Sequence, residues 1–175
     1  AGRLLATFQS LAEKWYPKIP VTPEAASRLA NQYAELMRML GAKDEFTNLR
    51  SELVPSLAMP SKFARLDIKQ YTKLSRQQRN DTLKPVLKSM NSGETGFMLE
   101  VIQLMQNVHT EFRLEHASNR SNPRNAGWMA TFRNWASGPA LQAVWTSVQD
   151  NYNPLFARFM SHQLLEDNTD VRQRP

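Results

Sequence analysis

Apolar residues in this chain recur every three or four positions, and runs of alternating β-branched residues are absent, so the pattern predicts helices throughout. Leu29, Tyr33, Leu36, Met37 and Leu40 keep one helical period. Thr22 and Pro23 ahead of them read as an N-cap and first helical residue, and Gly41 behind them reads as a left-handed stop. An earlier helix is expected over residues 4–16, ended by Pro17 and Pro20, where the proline ring and missing N–H oppose continuation. A short helix is expected over residues 44–53, followed by a turn-rich connection marked by Pro55 and Pro60.

The pattern continues in the second half. Ser75 or Asp81 is a candidate start for a helix reaching about Met90, and residues 91–96 read as a loop. Phe97, Val101, Leu104, Met105, Val108 and Phe112 then define a long helix over residues 97–116 with a broad apolar face. Residues 118–127, SNRSNPRNAG, are rich in turn formers and read as a loop. Beyond it Trp128, Phe132 and Trp135 share one face, and Gly138 and Pro139 break the helix. Leu141, Val144, Trp145, Val148 and Tyr152 make a second face, and Leu155, Phe156 and Phe159 a third. Such rings each bury about 150–250 Å², which makes this block and the long helix the expected core. The fold class is all-α: a single-domain irregular helical bundle of six to eight helices over residues 1–165, with a polar, frayed tail over 166–175.

Charge changes the picture at one place. Lys62, Arg65, Lys69, Lys73, Arg76 and Arg79 follow one another at three- or four-residue spacing. If residues 61–79 form one helix capped by Ser61, all six cations fall on one side, opposite Phe63, Leu66, Tyr71 and Leu74. The chain holds 22 Lys and Arg against 16 Asp and Glu, so the whole formal excess of +6 equals this stripe. Apart from Asp67, which this register sends toward the apolar side, the stripe has no acidic residue. Like charges at that spacing destabilise a helix slightly, a repulsion that an acidic partner offsets.

The chain has no cysteine, which excludes disulfides and thiolate chemistry and suits a reducing, cytoplasmic compartment. Its apolar stretches fall short of the roughly 20 residues needed to span a bilayer. Without an initiating methionine or signal-peptide order, the sequence reads as a piece of a longer protein with an additional domain.

Candidate chemistry is sparse. No Walker, dinucleotide-binding, zincin or nucleophile-elbow motif is present, and no cofactor or metal is expected. On a helix continuing through residue 116, His109 and His116 lie on one side two turns apart, about 10 Å along the axis. That is too far for both to bind one metal. The sequence Gly93-Glu94-Thr95-Gly96 is the nearest approach to a phosphate cradle, though Glu94 would repel an anion. The favoured expectation is a non-catalytic binding or regulatory module. It would contact an acidic protein, a nucleic acid or an anionic membrane surface through the six-cation stripe, extended by Arg120 and Arg124. The competing expectations are an enzyme domain with its site near His109, His116 and the 118–127 loop, and a structural module packing exposed aromatics on a neighbouring domain.

Overall fold

A computed structural model describes residues 21–54 and 62–166, and all of their regular structure is helical. The expected helix over residues 4–16, the Ser61 cap, the Pro55–Pro60 connection and the tail beyond residue 166 lie outside the described residues. Among the described residues nine helices pack as one bundle. They are α1 (Pro23–Ala42), α2 (Thr47–Leu53, preceded by a 3₁₀ turn at Asp44–Phe46), α3 (Ile68–Tyr71), α4 (Arg76–Ser89) and α5 (Ser92–Glu111). After them come α6 (Ala117–Arg120), α7 (Ala126–Ala136), α8 (Pro139–Val148) and α9. The last begins as Pro154–Arg158, passes through a π-helical turn at Phe159–Gln163 and ends as Leu164–Glu166.

Local chemistry sets several boundaries where periodicity did not. Thr22 caps α1 as expected, its hydroxyl accepting from the Ala25 N–H at 3.1 Å. Gly41 is no left-handed stop: it lies inside α1, no described glycine has positive φ, and the helix ends one residue later at Ala42. Instead the Arg50 guanidinium reaches back to the carbonyls of Leu40, Gly41 and Lys43, satisfying acceptors at the α1 C-terminus.

Residues 91–96 are not a loop. Asn91 and Glu94 form a capping box, with Glu94 N–H donating to Asn91 Oδ1 at 2.7 Å and Asn91 N–H to Glu94 Oε2 at 2.9 Å. That starts α5 at Ser92 and takes both glycines of the supposed cradle into the helix. At its other end α5 stops at Glu111, short of residue 116. Leu114 N–H donates to the His109 carbonyl and Arg113 N–H to that of Thr110, while Arg113 sits at φ 51°. This is a Schellman ending with arginine where glycine is usual, which hid it from the sequence. The 118–127 segment also gains structure: α6, a 3₁₀ turn at Pro123–Asn125, and the start of α7. Asn119 and the buried Asn125 stitch it together by donating to the carbonyls of Arg113 and Asn119.

The core forms where expected. Phe97, Met98, Val101, Ile102, Leu104, Met105 and Val108 of α5 are buried, and so is every residue from Pro139 to Trp145 of α8. A helix buried on all sides is a central one. α4 lies along α8, and α5 packs against α1, α8 and α9.

Candidate functional site

The six-cation stripe is not one helix: Lys69 lies on α3, Arg76 and Arg79 lie on α4, and Lys62, Arg65 and Lys73 lie in non-helical backbone before and between them. Asp67 caps α3, its carboxylate accepting from Lys69 N–H at 3.0 Å and Gln70 N–H at 3.3 Å. Ser75 and Gln78 then form a second capping box that starts α4. Residues 62–67 precede α3 without forming a helix. Short polar side chains that hydrogen-bond neighbouring backbone N–H groups compete with helix continuation, and here they divide the segment twice. The apolar set still reaches the core: Tyr71 is buried, and Phe63, Leu66 and Leu74 pack against its edge.

The cations divide into those with partners, the three arginines and Lys62, and those with none among the described residues, Lys69 and Lys73. The Arg65 guanidinium donates to the Asn134 carbonyl at 2.7 Å and to the Ser137 hydroxyl. Arg79 donates to the carbonyls of Tyr71, Thr72 and Leu74 and lies 5.1 Å from the Tyr71 ring centroid. Arg76 pairs with Asp150 at 2.5 Å, both side chains more than half exposed, so the pair contributes little to stability. Lys62 touches the Ser89 carbonyl at 3.1 Å and lies over the Phe63 ring. Lys69 and Lys73 are exposed and engage no described side chain or backbone acceptor, and the same holds for Lys84 and Lys88 on α4. The planar, weakly hydrated guanidinium with five fixed donors suits internal carbonyls, whereas the strongly hydrated ammonium stays in water.

Residues 62–90 contain eight Lys and Arg and two acids, Asp67 and Asp81. Asp67 is occupied by its cap, and Asp81 accepts from Gln77. Lys84 and Lys88 on α4 are exposed as well, and the three-to-four spacing of the stripe, which stops at Arg79, does not reach them. Of the expected extension, Arg124 is exposed, while Arg120 donates to the carbonyls of Leu114 and Glu115 at the α5–α6 connection.

The histidines do not share a helix. His109 is buried on α5, its ring 4.7 Å from that of Phe159 and 5.5 Å from that of Phe156. Its Nε2 has no partner among the described residues, and burial pushes its pKa down to about 4. His116 lies beyond the Schellman turn, half-exposed, beside Glu115. The expected pairing of the two on one face is thus overturned by the early end of α5. The N-terminus of α5 at Gly93–Gly96 is filled by Asn91 and Glu94, and Asn48 Nδ2 donates to Glu94 Oε1 at 3.1 Å.

The rings of the C-terminal block offer little to a stacking ligand. Phe132, Trp135, Trp145, Phe156 and Phe159 are buried, with Trp128 and Tyr152 half-buried at the edge. Among the described residues the large apolar side chains that are exposed are Leu99 and Leu155.

No protein-family model, curated protein or solved structure matches the chain.

Proposed function

We propose that this chain is a non-catalytic helical binding module that contacts an acidic partner through residues 62–90, with Lys69, Lys73, Lys84 and Lys88 as the contacting charges. The observation that carries this reading is the division of the cations. The arginines are engaged by the fold, the four lysines are exposed without partners among the described residues, and the two nearby acids are already occupied. A merely solvated face usually mixes its signs so that i,i+4 pairs form. Residues 62–90 carry eight cations against two acids, a net +6, and such a positive field raises the local concentration of an anionic partner and speeds encounter.

The test is retention on heparin, duplex nucleic acid and anionic vesicles across a salt series, comparing the unaltered chain with K69E/K73E/K84E/K88E. Retention on at least one of these that falls with salt and is lost in the variant supports the reading. No retention on any of them, or equal retention of both proteins, overturns it.

A further inference from the structure

Asp150 is the sole acidic residue of residues 126–165, and its one side-chain partner among the described residues lies in the basic segment. It follows α8 in a 3₁₀ turn at Gln149–Asn151, and Arg76 is the first residue of α4. With α4 packed along α8, the Arg76 guanidinium donates to the Asp150 carboxylate at 2.5 Å. Among the described residues no other ion pair joins the basic segment to the rest of the chain.

Arg76 differs from the other two arginines of the segment in what holds it. Arg65 donates to the Asn134 carbonyl and the Ser137 hydroxyl, and Arg79 to three backbone carbonyls beside the Tyr71 ring, all neutral acceptors that the fold supplies. Withdrawing Arg79 strands carbonyls that are partly buried, which is costly. Arg76 is instead held by a charge in water. Its side chain is 58% exposed and that of Asp150 75%, so both are resolvated when they separate and little stability is lost. A phosphate, sulfate or carboxylate oxygen on a partner offers the guanidinium the same charge-assisted bond that Asp150 does.

We propose that Asp150 is an internal competitor of the acidic partner: it occupies Arg76 in the free chain, and the partner displaces it to gain Arg76 as a fifth contacting cation beside Lys73. This rests on the binding role of residues 62–90 proposed above. A lone carboxylate gains nothing by replacing another, whereas a polyanion already held at the lysines presents its next oxygen at high effective concentration. Asp150 thereby selects partners of high charge density over isolated acids.

A double-mutant cycle on the intact chain tests the competitor. Affinity is measured on whichever of heparin, duplex DNA and anionic vesicles retains the unaltered chain, at about 0.15 M salt, where exposed charges more than about 8 Å apart are largely screened. D150N should tighten binding roughly two- to fivefold, R76Q should weaken it, and D150N added to R76Q should change nothing further. E24Q on α1 adds the same unit of net charge and should leave affinity as it is. Retention of the unaltered chain with no gain in D150N, with an equal gain in the absence of Arg76, or with as large a gain in E24Q overturns this proposal alone. A lowered denaturant midpoint in D150N marks the pair as structural and overturns it too. No retention of the unaltered chain on any of the three probes overturns the binding role of residues 62–90, and the competitor with it.

Discussion

Residues 62–90 and residues 126–165 pack against each other along α4 and α8, but they are organised by different forces. In the C-terminal region rings dictate the backbone. Phe132 and Trp135 on α7, Trp145 on α8 and Phe156 and Phe159 on α9 are buried in contact, with centroid separations of 5.6–6.3 Å typical of edge and offset packing. In the basic region the backbone follows hydrogen-bonding side chains. Asp67, Ser75 and Gln78 decide where helices start, and Arg79 ties the carbonyls between them. Burial enforces a periodic apolar face because each misplaced ring forfeits its transfer free energy. Nothing comparable enforces a charged face in water, so spacing alone does not make one.

The largest expected effect is on the aromatic side. Trp135→Ala removes a buried ring and leaves the Leu53 carbonyl without its donor, which should cost about 3–5 kcal/mol in denaturant unfolding. A loss no larger than that of a surface substitution would remove the basis of the contrast.

His109, under the Phe156 and Phe159 rings, sharpens the comparison through pH. The folded protein holds the imidazole neutral, with its pKa at about 4 against an ordinary 6.5. Its contribution is therefore present above about 6.5 and lost as pH falls toward about 4. The difference in unfolding free energy between the unaltered chain and His109→Phe should therefore change by about 1–3 kcal/mol over this range, in favour of the unaltered chain toward higher pH. Burial pushes the Glu52 carboxyl of α2 the other way, from 4.5 up to about 7, so in the unaltered chain the two slopes oppose each other between about 4.5 and 6.5 and each single variant tilts the profile.

On the basic side the effects are smaller. Ser75→Ala removes one half of the capping box and should cost about 1 kcal/mol in the same unfolding assay while leaving retention on anionic supports unchanged. The opposite outcome, unchanged stability with lost retention, would show that the helix start serves the contact surface directly.

How much could be read in advance divides along the same line. Buried faces on α1, α5, α7 and α8 were legible because their residues repeat at helical spacing, as were the Thr22 cap and the break at Gly138 and Pro139. Ends set by tertiary or unusual local contacts were not. Arg50 serves the α1 C-terminus from ten residues away, Arg113 takes a glycine's conformation after α5, and Asn91 begins a helix inside a stretch that looks like a loop. Of the candidate surface, the concentration of cations was legible. The hydrogen bonds of Arg65 and Arg79 go to Asn134, Ser137 and Tyr71, which no spacing rule connects to them.

The division between engaged arginines and exposed lysines is tested most directly by one titration. On whichever anionic probe retains the unaltered chain, binding is measured against salt for that chain and for K69Q/K73Q/K84Q/K88Q. The account predicts that the slope of log affinity against log salt shallows by roughly 0.7–0.9 for each lysine that meets a nucleic-acid phosphate, with unfolding free energy changed by no more than about 0.5 kcal/mol. An unchanged slope in a variant that folds normally would contradict it.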